Sequence, residues 1–256
     1  MAAALRSLST TALTALVLAA GVGACAPALR AVPVSAGSVP ASSAIAARYL
    51  GVWALSDSAN NLFNVRLSRD GRALSTWGAK TMPQPGNLPA GGGVPLRPGQ
   101  LFEQGRWQEW GNGVRIDYAD GWSDWLLVGP AGPQQYSWAP GSDRLSPPEN
   151  HAKAVKLSGL EAEVVGVYRL TPTQPEKPPY TAALLSNGQA FNSIDAIPGG
   201  SWQLQNGNVV IDWLSDWRTV IVGASRLAGP LTVQHWAPGT NRQTAPSAVR
   251  SGERLN

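Results

Sequence analysis

The chain has 256 residues, 20 Lys and Arg against 16 Asp and Glu, and a single cysteine. Its formal charge of +4 comes from scattered residues with no run of like sign, which argues against nucleic-acid binding, whose footprint is a clustered basic patch. One cysteine rules out an intramolecular disulfide framework, and 28 Gly with 21 Pro would interrupt long helices repeatedly.

Residues 1–24 have the layout of an export signal. Arg6 supplies the positive charge, and an apolar run of about a dozen residues from Thr11 to Val22 is too short to span a bilayer. Small residues then lead to Cys25. Val22-Gly23-Ala24-Cys25 resembles the lipobox of bacterial lipoproteins. The resemblance implies cleavage before Cys25, a diacylglyceryl thioether on its sulfur and a fatty acyl group (palmitate or similar) on the new amine. A lone exported thiol would otherwise be prone to oxidation, and two or three acyl chains anchor firmly. Ala26, rather than aspartate, after the cysteine favours the outer membrane by enterobacterial analogy. The alternative is an ordinary signal peptide, cut after Ala26 or Ala36. Residues 25–47, rich in Ala, Ser and Pro, read as a flexible tether with a reach of roughly 25 Å.

Beyond the tether the chain repeats itself. Gly51-Val52-Trp53 recurs as Gly166-Val167-Tyr168, and Leu67-Ser68-Arg69-Asp70-Gly71 as Leu184-Leu185-Ser186-Asn187-Gly188. Gly105-Arg106-Trp107-Gln108 recurs as Gly200-Ser201-Trp202-Gln203, and Val114-Arg115-Ile116-Asp117 as Val209-Val210-Ile211-Asp212. Trp138-Ala139-Pro140-Gly141 recurs intact as Trp236-Ala237-Pro238-Gly239. The order is kept, and a constant offset of 95 residues joins Gly105 through Trp122 to Gly200 through Trp217. Self-similarity of this kind marks tandem copies of one supersecondary unit.

The blocks alternate as strands do. Phe63, Val65 and Leu67 oppose Asn64, Arg66 and Ser68; Val114, Ile116 and Tyr118 oppose Arg115 and Asp117. Asp70-Gly71, Asp120-Gly121 and Asn187-Gly188 predict two-residue hairpin turns. Pro140-Gly141 and Pro238-Gly239 suit the centre of type II turns. The expectation is an all-β protein of two tandem antiparallel β-meanders, spanning 48–157 and 163–245, with about six short strands each and a loose C-terminus from Ala245. The Gly-x-Trp opening at Gly51-Val52-Trp53, followed by up-and-down strands, resembles calycin-type barrels, the lipocalin and avidin group. Two small barrels, one twelve-stranded barrel and packed sheets all fit; two similar lobes fit best. A Pro/Gly-rich insertion, 78–104, breaks the symmetry of the first half, and Thr171 to Pro179 that of the second.

No motif specifies a reaction. The two histidines, His151 and His235, have no equivalents in the opposite half, no spacing suggests a metal or other cofactor, and no nucleophile or phosphate-cradling motif is present. Of eleven tryptophans, seven lie in the first half and four in the second. Those in the repeat blocks suit the core and the strand ends. A two-residue Asp120-Gly121 turn puts Trp125 and Leu127 inside, sets Asp117 opposite Asp124, and leaves Trp122 and Trp217 on the polar outer face. Asp212 then faces Thr219. Trp122, Asp117, Asp124, Trp217 and Asp212 are thus the candidate ligand-binding residues. The expectation is a non-catalytic, lipid-anchored binding or envelope-structural module for a glycan or another envelope protein. The alternatives are an envelope hydrolase working through the Asp117–Asp124 pair and a barrel-type protease inhibitor.

Overall fold

The computed structural model describes residues 43–77, 101–195, 199–223 and 229–255. The signal segment, Cys25, most of the expected tether and most of the 78–104 insertion lie outside these residues. Each repeat is a short helix followed by an up-and-down antiparallel barrel. In the first, α1 (Ala44–Tyr49) leads into β1 (Gly51–Ser56), β2 (Leu62–Leu67), β3 (Arg72–Ser75), β4 (Glu103–Trp110), β5 (Gly113–Tyr118), β6 (Ser123–Gly129) and β7 (Gly132–Trp138). A split closing strand follows. β8 (Asn150–Lys153) pairs with β7, and β9 (Val155–Lys156) pairs with β1, so the sheet returns on itself. In the second repeat α2 (Gly159–Val164) leads into β10 (Gly166–Pro172), β11 (Tyr180–Leu184), β12 (Gln189–Asn192), β13 (Gly199–Gln205), β14 (Asn208–Trp213), β15 (Arg218–Val222), β16 (Leu231–Trp236) and β17 (Ala248–Arg254). Here one unbroken strand, β17, bonds both β16 and β10 and closes the barrel. Closure removes the sheet edges that an open meander would expose.

Four expectations change. Residues 44–47 of the expected tether belong to α1, whose N-terminus is capped by Ser43 Oγ accepting the Ala46 N–H. Each repeat has more strands than the six expected, and the C-terminal residues are a barrel strand instead of a loose end. The Asp-Gly and Asn-Gly sites are three-residue loops. At the β5–β6 turn the Gly121 N–H bonds Tyr118 O at 3.1 Å, and the Tyr118 N–H bonds Trp122 O at 2.9 Å. Gly121 takes φ +94°, the left-handed residue that ends such a loop. Its equivalent in the second repeat is Asp216, at φ +63°. The two-residue Asn-Gly turn with both residues at positive φ lies elsewhere, at Asn206-Gly207. Both Pro-Gly sites are type II turns, with Ser142 N to Ala139 O at 3.1 Å and Thr240 N to Ala237 O at 3.2 Å.

The repeated aromatic residues hold equivalent joints. Trp53 Nε1 donates to Tyr49 O at 2.8 Å, and Tyr168 OH donates to Val164 O at 2.5 Å, each tying the first strand to its helix. Trp107 Nε1 reaches Ser68 O and Trp202 Nε1 reaches Leu185 O, at 2.8 and 2.7 Å. Trp138 Nε1 bonds Ser146 O and Trp236 Nε1 bonds Thr244 O, closing the loop after the Pro-Gly turn in both copies. The repeated Gly105 and Gly200 are fixed by close approach, since a Cβ would lie 2.8 Å from Asp117 O or 2.7 Å from Asp212 O.

Each barrel is filled by its own apolar cluster, the first around Trp53, Trp107, Ile116 and Leu126, the second around Tyr168, Leu170, Ile211 and Ile221. A third cluster joins the barrels. Leu74 and Leu101 pack against Val167, Ala183, Leu185 and Phe191. Asn64 bonds Ser186 twice across this junction, at 2.9 and 3.0 Å.

Candidate functional site

The three-residue loop at 119–121 shifts the β5–β6 register by one residue. Ile116 faces Asp124 and Asp117 faces Ser123, so the expected Asp117–Asp124 opposition does not exist. In a strand a one-residue slip exchanges the two faces. Asp124 points into the barrel and is buried, while Asp117 stays outside, paired with Arg115 at 3.0 Å. In the second barrel Asp212 faces Arg218, not Thr219, and is held by it at 2.6 and 2.7 Å, with Arg242 at 3.3 Å. The Arg218 hydrogen bonds keep the Asp212 carboxyl below its usual range. Trp122 is half-buried against the first barrel's core, whereas Trp217 is 37% exposed. The structure therefore does not gather the five expected residues into one site.

The same slip turns Trp125 outward and uncovers an arrangement that sequence reasoning missed. Gln108, Arg115, Trp125, Tyr136 and His151 face one another strand by strand across β4 to β8. At ordinary strand spacing this row is about 19 Å long. Tyr136 and His151 stack with centroids 4.5 Å apart and planes 3° apart, and Trp125 lies 5.4 Å from Tyr136. Trp110 meets Trp125 edge-on at 5.5 Å and Trp138 at 6.2 Å. The Arg115 guanidinium sits over the Trp110 ring at 5.6 Å. Gly113 makes room for Trp125, because a Cβ there would fall 2.5 Å from Trp125 Nε1. That indole N–H is buried without a protein acceptor. Gln134 is fixed by His151, 3.0 Å away. The result is a continuous aromatic strip bordered by amides and one cation, built on strands rather than loops.

Among the described residues the second barrel has no such strip. Its equivalent row is Gln203, Val210, Val220, Gln234 and Val249. A signal for the difference was present in the sequence: Leu126 and Ile221 are aliphatic in both copies, as inward positions should be, while Trp125 and Val220 differ.

The interiors diverge as well. In the first barrel Tyr118 OH and Ser137 Oγ donate to Asp124 at 2.9 and 2.6 Å, and Gln135 Nε2 donates to Ser137 Oγ at 3.0 Å. Burial raises the Asp124 pKa against these bonds. Glu103, also buried, accepts the Asp120 N–H at 3.3 Å and is pushed up to about 8, by burial first and then by the Asp120 carboxyl. The second barrel replaces Tyr118, Asp124 and Ser137 with Trp213, Thr219 and His235. Trp213 Nε1 donates to Thr219 Oγ1 at 2.8 Å, and Thr219 Oγ1 lies 2.9 Å from His235 Nδ1. Burial holds the His235 pKa down at about 4, so the ring is neutral at physiological pH.

Among the described residues no cluster of His, Cys, Asp or Glu could hold a metal ion, and no helix is long and apolar enough to cross a membrane. No protein-family model, curated protein or solved structure matches the chain.

Proposed function

We propose that this chain is an exported, lipid-tethered, non-catalytic binding module that holds a glycan on the outer face of its first barrel. The observation carrying the reading is the row Arg115–Trp125–Tyr136–His151 with Trp110 beside it. Aromatic surface edged by a few fixed polar groups is how proteins commonly hold polar ligands that also have apolar faces. A sugar presents C–H faces to the rings and hydroxyls to Gln108, Gln134 and Arg115. A peptide ligand would ordinarily add a strand to an open sheet edge. In the first barrel the two ends of the sheet, β8 and β9, are pieces of one split strand only four and two residues long, too short to template a further strand, which favours a ligand bound through side chains alone. The lipobox at Val22 to Cys25 supports the tether, and by the enterobacterial analogy the address is the outer membrane.

The test is co-sedimentation with purified insoluble cell-wall polysaccharide. The parent chain should be retained, Trp125→Ala and Tyr136→Ala should weaken retention at least about tenfold, as truncation of a central aromatic does, and Val220→Ala should leave it unchanged. No retention of the parent, or equal retention of all variants, rejects the glycan reading. For the tether, Cys25→Ser should abolish fatty-acid labelling and release the protein from the membrane fraction; an unlabelled but membrane-bound parent rejects it.

A further inference from the structure

Cations that are scattered along the chain gather on the face that carries the aromatic strip. Arg106 precedes Gln108 by two residues on β4, and Lys153 follows His151 by two on β8, so strand alternation turns both outward beside the row. With Arg115 they place two cations at one end of the rings and one at the other. Asp117, opposite Arg106, is the only acid at an outward position of β4 to β8, and it is already held by Arg115. Arg106 and Lys153 form no ion pair among the described residues. The Arg106 guanidinium donates to Asp70 O at 3.4 Å, and the Asp70 carboxylate is taken by Arg72.

The second barrel lacks this surplus. The repeat sets Arg106 against Ser201 and Arg115 against Val210, while Lys153, opposite Gln134, corresponds to Ser251, opposite Thr232. Only the acid is kept, as Asp212. Arg218 is the one cation at an outward position of β13 to β17, where it meets two acids, Asp212 and Glu253. Rings and excess positive charge therefore occur together, on one copy. The fold does not require them, since the other copy closes and packs without them. Exposed cations left unpaired by the protein raise the local concentration of anionic ligands, and the planar fork of arginine matches carboxylate and phosphate. A neutral sugar would need the rings and amides alone.

We infer that the glycan held by the strip is a polyanion, a polysaccharide carrying carboxylate or phosphate groups at intervals. Arg106 and Arg115 receive one acid group and Lys153 another, while sugar faces lie on Trp125 and Tyr136. The inference rests on the glycan reading above and adds its chemical class.

The test uses the full chain and the insoluble cell-wall polysaccharide in three forms: untreated, with its carboxylates converted to methylamides, and with its phosphates removed by hydrofluoric acid. At low salt the parent should be retained on the untreated form about tenfold better than on at least one treated form, and the form that fails identifies the acid. Arg106→Gln and Lys153→Gln should each weaken retention on the untreated form about threefold, as the loss of one exposed ionic contact does, and leave retention on the failing form unchanged. Trp125→Ala should weaken retention on every form. Equal retention of the parent on all three forms, or Gln variants that weaken every form alike, overturns the inference and leaves the glycan reading standing. No retention of the parent on the untreated form rejects that reading, and this inference with it.

Discussion

The two barrels share strand order, tryptophan joints and turns, yet they are closed and filled differently. In the second, one strand completes the hydrogen-bond circuit by backbone alone. In the first, the closing strand is split, and side chains serve the gap: Ser56 N–H bonds Gln135 Oε1 at 3.3 Å, and Asn150 Nδ2 bonds Ser56 O at 2.9 Å. Gln135 continues through Ser137 to the buried Asp124 and Tyr118, so a titratable network is bound up with closure. The same barrel carries the aromatic strip outside. Duplication has thus left a plainer copy, closed by backbone pairing, beside a copy altered on both faces of its sheet. The lesson is that a fold kept by repeated joints leaves the remaining positions free to acquire chemistry.

The largest expected break in this comparison is at the buried acid. Asp124→Ala leaves Tyr118 OH and Ser137 Oγ without their acceptor, a loss on the order of 3 kcal/mol at the usual penalty for stranded buried groups. Hydrogen exchange should show the protection lost in β4–β8 and kept in β10–β17. Equal loss in both barrels would mean that they unfold as one unit.

Next comes pH, where the two barrels should move in opposite directions. Folded Glu103, with its pKa near 8 instead of 4.5, holds a proton that the unfolded chain releases. The first barrel should therefore lose stability as pH rises from about 4.5 to about 8, by up to a few kcal/mol, and level off above that. Folded His235, near 4 instead of 6.5, refuses a proton that the unfolded chain accepts. The second barrel should accordingly gain stability between about pH 4 and 6.5. Barrel-resolved exchange across pH 4–9 measures both slopes, and Glu103→Gln should reduce the first only, leaving the share of the buried Asp124, whose pKa is raised in the same direction. Parallel slopes would contradict the assignment.

Smaller effects test the repeated joints. Trp138→Phe and Trp236→Phe each remove one indole hydrogen bond to the following loop, at about 1 kcal/mol apiece, in chemical denaturation. A cost confined to one copy would show that these joints are not equivalent. Smallest of all, Asp216→Gly should be neutral to stabilising by about 0.5 kcal/mol, since Asp216 occupies a left-handed position that Gly121 fills in the other copy. The reverse change, Gly121→Asp, should destabilise, because its Cβ would also crowd Pro140 at 3.1 Å.

Much of the architecture was legible in the chain, since the repeated Gly, Trp and Pro-Gly positions perform equivalent tasks and so resist change. The last strand of each copy was not. Its inward positions in the second barrel are Ala248, Arg250, Gly252 and Arg254, which give no apolar alternation, and in the first the strand is broken at Ala154. α1 escaped notice because its six residues follow a stretch of the same Ala-rich composition. The site was misplaced for one reason: an Asp-Gly pair serves both two- and three-residue loops, and choosing the shorter one exchanged the faces of β6. Asp124 then appeared on the surface and Trp125 in the core. His151, which the sequence offered only as a histidine with no equivalent in the other half, is the far end of the aromatic row.

The central claim is that the first barrel's outer strip receives the ligand while the second barrel serves as scaffold. Side-chain indole resonances report this most directly, since the chain's eleven tryptophans are divided between the two copies. On titration with soluble cell-wall glycan fragments, the Trp110 and Trp125 N–H signals should shift together and saturate, while those of Trp202, Trp213, Trp217 and Trp236 stay still. Shifts centred on Trp217, or on the second barrel generally, would contradict the account.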